Sequence, residues 1–151
     1  MASKKLIYMD CCCLNRPNDD QSQDKIRIET DVILAVLKRC ENQIWELIVS
    51  DVLLFEIMKN PNPYNRSKTL MLYSIAKEKI SLEKEIIKRA NEIKKYGIKD
   101  LDSLHFAVAE YRNVDVLLSV DADFIKHSKQ IKTKLIVDNP TNWYIKEIEN
   151  D

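Results

Sequence analysis

Residues 114–124, VDVLLSVDADF, carry the strongest strand signal in the sequence. The first part of this stretch is apolar on both faces of a strand except at Asp115 and Ser119, and the stretch closes on two aspartates. A shorter apolar run, LIYM at residues 6–9, also ends at an aspartate. Strands that are apolar on both faces are typical of parallel sheets, because helices cover both sides of such sheets. The two runs therefore predict the buried centre of a parallel sheet.

The remaining segments alternate between strand and helix patterns. Apolar residues recur at helical spacing, as Ile33, Val36 and Leu37 do, and Gly97 is expected to end one of the helices. Helices are predicted at about residues 25–40, 52–59, 67–77, 86–93 and 101–111, and further strands at 45–49, 79–82 and 135–137. Strands separated by helices imply an α/β fold, a three-layer α/β/α sandwich whose central parallel sheet has four or five strands. The length predicts one domain over residues 1–151.

The composition excludes several classes of function. The single glycine, Gly97, rules out a P-loop and a glycine-rich dinucleotide motif, since both need several glycines. No apolar run approaches the roughly 20 residues that span a bilayer, so we expect a cytoplasmic protein that does not enter the membrane. The 24 basic and 24 acidic side chains cancel, and net charge therefore gives no argument for nucleic-acid binding.

The four cysteines fit a reducing compartment better than a zinc site. Cys11, Cys12 and Cys13 are adjacent, Cys40 is distant from them, and no CxxC pair occurs. Free cysteines are among the most buried residue types, so we expect these four to be small residues of buried strands or loops.

Four acidic side chains are expected at one edge of the sheet. Asp10 and Asp121 end strands, and the carboxyl ends of parallel strands share the edge at which α/β proteins bind ligands. Glu56 lies early in a helix that leaves this edge, and Asp102 lies at the start of a helix that begins there. Each acid alone is more simply interpreted as a helix cap, a strand end or a solvated residue. Together they would repel one another unless cations or protons neutralise them, and oxygen ligands suit Mg²⁺ or Mn²⁺.

The fourth acid of this set has two candidates. Asp121 is favoured because it lies nearest the end of its strand. Asp123 is the alternative metal ligand, although it is more simply interpreted as a residue that caps or turns the following segment.

Four motifs follow one another along the chain. They are LIYMD at residues 6–10, VLLFEI at 52–57, DSLHFAVA at 102–109 and LLSVDADF at 117–124. In this order and spacing they resemble the PIN domain, the fold of many prokaryotic ribonucleases that include the VapC-like toxins of toxin–antitoxin pairs. The resemblance covers nearly the whole chain. It departs from the family pattern at Cys11, where Ser or Thr is usual, and at Ser119, where Thr is more common.

The resemblance implies a metal-dependent ribonuclease that hydrolyses phosphodiester bonds of RNA with water activated by Mg²⁺ or Mn²⁺. Asp10, Glu56 and Asp102 would be the main metal ligands, and Asp121 would complete the site directly or through water. The hydroxyl of Ser119 would position a carboxylate or a water molecule. RNA is then the substrate, and an antitoxin protein and a second copy of the chain are the partners that the resemblance implies.

RNA phosphates need positive charge near the acids. Four basic residues lie within a few positions of a proposed ligand and are candidates for phosphate contacts: Arg16, Lys59, Lys99 and Lys126. Each is equally well interpreted as a solvated charge near a helix end. Neither histidine is expected to be catalytic, because His105 lies inside a helix as a packing or supporting residue and His127 is expected at the surface.

Two other functions fit the same pattern. A PIN-like fold can serve as a non-catalytic module that binds RNA or protein. A phospho-accepting receiver-like domain shares the parallel sandwich, with Asp51 as its acceptor and Ser119 as its switch hydroxyl. The receiver pattern has no place for Glu56 and Asp102, and its acidic pair after the first strand is missing here. Metal-dependent cleavage of RNA would separate the nuclease from both alternatives.

Overall fold

The computed structural model describes residues 4–150, which form five strands and eight α-helices. The strands, numbered in chain order, are β1 (Leu6–Met9), β2 (Glu46–Ser50), β3 (Glu78–Ile80), β4 (Val116–Leu118) and β5 (Val137–Asp138). The helices are α1 (Cys11–Asn15), α2 (Asp24–Glu41), α3 (Asp51–Met58), α4 (Pro63–Tyr73), α5 (Lys84–Ile93), α6 (Asp100–Arg112), α7 (Ala122–Ser128) and α8 (Pro140–Glu149).

The strands form one parallel sheet in the order β3-β2-β1-β4-β5. β1 lies at the centre, where Tyr8 is opposite Ile48 of β2 and Leu117 of β4. The apolar runs that predicted a buried sheet supply these central strands. The prediction of a parallel sheet of four or five strands is confirmed.

Alternate residues of β1 face two different helical layers. Ile7 and Met9 lie in a buried cluster with residues of α2 and with Trp143 of α8. Tyr8 lies in a second cluster with residues of α5 and with Phe106 of α6. Burying one large apolar side chain stabilises a fold by about 1.5–3 kcal/mol, so both layers contribute to holding the sheet in place. The predicted α/β/α sandwich is confirmed.

Several element boundaries differ from the prediction. α4 begins at Pro63 rather than near residue 67, because the Asn62 side chain accepts hydrogen bonds from two backbone N–H groups and proline fits the first helical turn. The last two strands are shorter than predicted, since only Val116–Leu118 and Val137–Asp138 are paired in the sheet. None of the helices within residues 4–150 is long and apolar enough to cross a membrane.

The sequence argument did not predict α1, α7 or α8. α1 and α7 are short, and each begins where an aspartate carboxylate accepts hydrogen bonds from backbone N–H groups. Asp10 accepts from the N–H of Cys13 at 3.0 Å, and Asp121 accepts from those of Asp123 and Phe124 at 3.0 and 3.2 Å. The expectation that Asp123 caps this segment is therefore wrong, because Asp121 does so.

The expectation for the cysteines is partly wrong. Cys11, Cys12 and Cys13 lie in α1 rather than in a strand or loop. Cys13 and Cys40 are buried as expected, whereas Cys12 is exposed. The helix turns successive side chains in different directions, so one thiol enters the core and the next reaches the surface.

Candidate metal centre

Four acids from four separate elements line one surface cavity at the carboxyl edge of the sheet. Asp10 follows β1, Glu56 lies in the second turn of α3, Asp102 lies in the first turn of α6 and Asp121 precedes α7. The cavity has a volume of about 610 Å³. Its remaining lining residues are Cys11, Cys12, Lys99, Asp100 and Leu101. Asp123 is exposed and is not among the residues that line it.

Asp10 is the most buried of these acids, with 2% of its surface exposed. Its Oδ1 accepts hydrogen bonds from the N–H of Cys13 at 3.0 Å and from the thiol of Cys12 at 3.2 Å. Its Oδ2 is buried and has no hydrogen-bond partner. Burial raises the pKa of this carboxyl above its ordinary value, although His105 and several hydrogen bonds oppose the rise. A buried oxygen without a partner is costly, and a bound cation would satisfy it.

The pKa of Asp102 shows that the other three acids lie close enough to affect it. Partial burial, together with the negative charges of Asp10, Asp121 and Glu56, raises its pKa from 3.8 to about 6, and His105 opposes the rise. Like charges raise the pKa of an acid because they disfavour its ionised form. The four carboxylates therefore interact electrostatically across the cavity, as the sequence pattern implied.

Glu56 is held by a chain of side chains that passes through the core. Its Oε1 is hydrogen bonded to Nε2 of His105. On the other side of the ring, Nδ1 of His105 lies 2.6 Å from the hydroxyl of Tyr8, which in turn lies 2.7 Å from Oγ of Ser50. The ring thus donates from Nε2 to the carboxylate of Glu56 and is held at Nδ1 by the hydroxyl of Tyr8. His105 and Tyr8 are fully buried, so this chain fixes the carboxylate of Glu56 at the cavity wall.

The supporting role of Tyr8 was missed by sequence reasoning. His105 was interpreted as a packing or supporting residue, and the structure places it against a proposed ligand. The only signal for Tyr8 was a polar group inside an apolar strand, on the face that packs on α6. Burial raises the pKa of Tyr8 well above its ordinary value, so its hydroxyl keeps its proton.

Ser119 connects the two acids that end strands. It is completely buried after β4, and its Oγ accepts a hydrogen bond from the backbone N–H of Asp121 at 3.1 Å. The same hydroxyl lies 3.6 Å from the sulfur of Cys12. Its presence beside Asp10 also opposes the rise in the pKa of that carboxyl. Ser119 is thus placed to orient carboxylates rather than to contact a substrate.

The four carboxylates do not already form a coordination site. Within residues 4–150, no group of three or more His, Cys, Asp or Glu side chains is arranged so that it could hold a metal ion. Instead, Asp10 and Asp121 accept hydrogen bonds from helix N–H groups, and Glu56 is paired with His105. The donor set still suits a hard divalent cation, because it consists of carboxylates around one cavity and includes the unpaired oxygen of Asp10. Such a cation would draw together side chains that now repel one another.

The family model of the PIN domain matches residues 27–130, which is more than half of the chain. The chain belongs to the PIN domain family. Its sequence matches no curated protein.

Three solved structures share the fold of this PIN domain. VapBC2 from Rickettsia felis, bound to a DNA fragment from its promoter, contains a chain with a TM-score of 0.59 and 19% identity, over 88% of this chain and 98% of that one. The Sarcin-Ricin loop cleaving toxin VapC20 of Mycobacterium tuberculosis has a TM-score of 0.54 and 12% sequence identity. The match covers 78% of this chain and 92% of VapC20. A protein from Pyrobaculum aerophilum has a TM-score of 0.57 and 13% sequence identity, and the match covers 97% of each chain. Identities this low support the fold alone.

The basic residues proposed to bind phosphate are not equally placed in this PIN domain. Arg16 is engaged by carboxylates of Asp19 and the buried Glu29 at 2.9 and 3.1 Å, so it is not available at the rim. Lys59 lies over the ring of Phe55 at 4.3 Å. Only Lys99 of the four lines the cavity that holds the acids.

Lys126 lines a second cavity of about 670 Å³. Val120 and Ala122, which flank Asp121 in the chain, also line it. Its walls combine apolar side chains with further lysines and polar residues: Lys25, Ile28, Glu29, Ile125, Lys129, Asp138, Asn139, Thr141 and Asn142. Within residues 4–150, its three lysines have no ion-pair partner. We call this feature the lysine cavity.

Proposed function

We propose that this PIN domain is a divalent-metal-dependent endoribonuclease that hydrolyses phosphodiester bonds of RNA. One observation carries the proposal. Four carboxylates from distant segments line one cavity, and the buried Oδ2 of Asp10 has no hydrogen-bond partner. Asp10, Glu56 and Asp102 would bind Mg²⁺ or Mn²⁺, and Asp121 would complete the site directly or through water. The bound cation would activate water and neutralise charge that develops on the phosphate.

The side chains around the acids would prepare the site for this chemistry. The Tyr8–His105 pair holds Glu56 at the cavity wall, so little side-chain entropy is lost when a cation binds. Ser119 orients the segment that carries Asp121 by accepting a hydrogen bond from the backbone N–H of that residue. Lys99 supplies a positive charge at the cavity for the RNA backbone.

The lysine cavity supports RNA rather than a small phosphate ester as the substrate. Val120 and Ala122, the chain neighbours of Asp121, line it, and it offers three lysines, two acids and apolar walls. A phosphodiester bound at the acids would have its neighbouring nucleotide within reach of this cavity, where phosphate can meet lysine and a base can meet apolar side chains.

We also propose that the protein acts in the cytoplasm as the toxin of a toxin–antitoxin pair, inhibited by an antitoxin. The structural likeness to VapC20, a Sarcin-Ricin loop cleaving toxin, and to a chain of VapBC2 bound to promoter DNA supports this. Exposed apolar residues on α3 and α4 support a protein partner. Phe55 and Met58 lie on one side of α3, and Tyr64 and Met71 lie two turns apart on α4, each more than half exposed. An antitoxin or a second copy of the chain would cover them.

Cleavage of single-stranded RNA tests the proposal. We expect wild type to cleave with Mn²⁺ or Mg²⁺ and to lose activity in chelator and on Asp10→Asn. Asp123→Asn is the matched control, because Asp123 is exposed and does not line the cavity. Equal loss in both variants would show that the assignment of the acids is wrong.

One observation favours a non-catalytic module as the second candidate. Among the described residues, three of the four carboxylates, those of Asp10, Glu56 and Asp121, are hydrogen bonded to the protein, and the four are not arranged around a cation position. A non-catalytic PIN domain would leave the RNA uncut with and without Mn²⁺, which the same assay detects.

A further inference from the structure

The thiol of Cys12 lies inside the proposed metal site. Cys12 is in the first turn of α1, and its sulfur is 3.2 Å from Oδ1 of Asp10 and 3.6 Å from Oγ of Ser119. The residue is exposed and lines the cavity of the four acids. It also lines a neighbouring cavity of about 380 Å³. Cys12 therefore lies at the wall of the cavity that an ion would enter from solvent.

The other two cysteines of α1 are placed differently. Cys13 is completely buried and cannot reach the cavity. Cys11 lines the cavity and is half-buried, but it makes no hydrogen bond to Asp10. The contact with the most buried carboxylate is specific to Cys12.

The position of the thiol fits a second type of cation. Zinc in proteins binds thiolate at about 2.3 Å and carboxylate oxygen at about 2.0–2.2 Å, and tetrahedral ligation would separate those atoms by about 3.6 Å. The sulfur and Oδ1 are 3.2 Å apart, so a shift of about 0.4 Å suffices. The buried Oδ2 of Asp10, which has no partner, offers a further oxygen in the same place.

We propose that Cys12 and Asp10 together bind thiophilic divalent cations such as Zn²⁺, Cd²⁺ and Co²⁺. Because Mg²⁺ is a hard cation, it uses the carboxylate oxygens and leaves the thiol protonated as a hydrogen-bond donor to Asp10. A thiophilic cation instead bonds to the sulfur, and the thiol proton leaves to solvent with no change in oxidation state. This inference rests on the proposed metal site at the carboxylates. It adds that thiophilic metals compete with Mg²⁺ for the site and hold it more tightly.

Binding of Co²⁺ tests the proposal through a signal that does not depend on catalysis. A cobalt–thiolate bond gives a charge-transfer absorption band in the near ultraviolet, which carboxylate ligands do not give. We expect wild type and Cys11→Ser to show this band on titration with Co²⁺. Cys12→Ser should lose the band and bind Co²⁺ roughly 10–100-fold more weakly by calorimetry, while its affinity for Mg²⁺ changes little. Serine preserves a donor to Asp10, so the variant is expected to fold.

Each of the following outcomes would overturn the proposal. Co²⁺ bound by wild type without the band, or a band that persists in Cys12→Ser, would show that Cys12 is not a ligand and would leave the carboxylate site intact. A band that is lost in Cys11→Ser and kept in Cys12→Ser would show that Cys11, not Cys12, is the thiolate ligand. Failure to bind Co²⁺, Mn²⁺ and Mg²⁺ alike would overturn the metal site and this inference together.

Discussion

Asp102→Asn is expected to stabilise the protein in chelator while abolishing its response to Mn²⁺. Partial burial and the neighbouring carboxylates raise the pKa of Asp102 from 3.8 to about 6, so its negative charge destabilises the fold at neutral pH. A pKa rise of about two pH units corresponds to about 3 kcal/mol. Because Asp102 is partly exposed, solvent screens this interaction, and we expect a gain of about 1 kcal/mol. For a protein of this size that gain raises Tm by roughly 2–4 °C.

The pH dependence gives an independent check. Between its ordinary pKa and about 6, Asp102 holds more protons in the folded than in the unfolded protein. The contribution of this residue to stability is therefore present at low pH and is lost as the pH rises to about 6. Urea denaturation in chelator from pH 4 to pH 8 should show a smaller loss of stability in Asp102→Asn than in wild type.

In Mn²⁺ the effect of Asp102→Asn on stability should reverse, so that wild type becomes the more stable protein. A cation at 100 times its Kd stabilises the folded state by about 2.7 kcal/mol, and wild type should gain this in Mn²⁺ whereas Asp102→Asn should not. Asp123→Asn is the matched control, because Asp123 is an exposed acid that does not line the cavity. A variant that is less stable than wild type in chelator, or that still responds fully to Mn²⁺, would refute the reasoning.

Three further perturbations test other parts of the account. Tyr8→Phe removes the hydroxyl that contacts the buried His105. The variant should bind Mn²⁺ roughly 10-fold more weakly in calorimetry. Unchanged affinity would show that the hydrogen bonds from Tyr8 through His105 do not support Glu56. Reversing two charges of the lysine cavity with Lys126→Glu and Lys129→Glu should weaken RNA binding and reduce the salt dependence measured by fluorescence anisotropy; an unaltered salt dependence would mean that RNA does not reach it. Burial tends to raise the pKa of Glu110, but hydrogen bonds from an arginine and a threonine outweigh it and lower the pKa. The contribution of this acid to the free energy of unfolding is therefore lost as the pH falls below 4.5. In acid denaturation, Glu110→Gln should lose less stability than wild type over this range. Equal losses in the two proteins would contradict this prediction.

The positions of the four acids follow from rules that act along the backbone. Asp10 and Asp121 follow parallel strands, and the carboxyl ends of such strands share one edge. Glu56 and Asp102 follow from the direction in which their helices run relative to that edge. These rules need only the order and type of the elements, which strand and helix patterns show clearly.

The contacts that hold the site together depend on side-chain directions and could not be predicted in this way. The Tyr8–His105–Glu56 chain joins β1, α6 and α3, whose residues are distant in sequence. Arg16 was predicted as a candidate for a phosphate contact, but it forms an ion pair with the buried Glu29. Some misses were avoidable, because Asn-Pro at residues 62–63 and 139–140 is a helix-start signal that the sequence already contained.

Isothermal calorimetry with Mn²⁺ on wild type and Asp10→Asn tests the central claim most directly, because Asp10 carries the buried oxygen that lacks a partner. The account predicts that wild type binds Mn²⁺ and that Asp10→Asn binds it at least roughly 10-fold more weakly. Asp123→Asn should bind like wild type, since its side chain lies outside the cavity. No binding by folded wild type, or equal binding by Asp10→Asn, would contradict the assignment of a metal centre to these four acids.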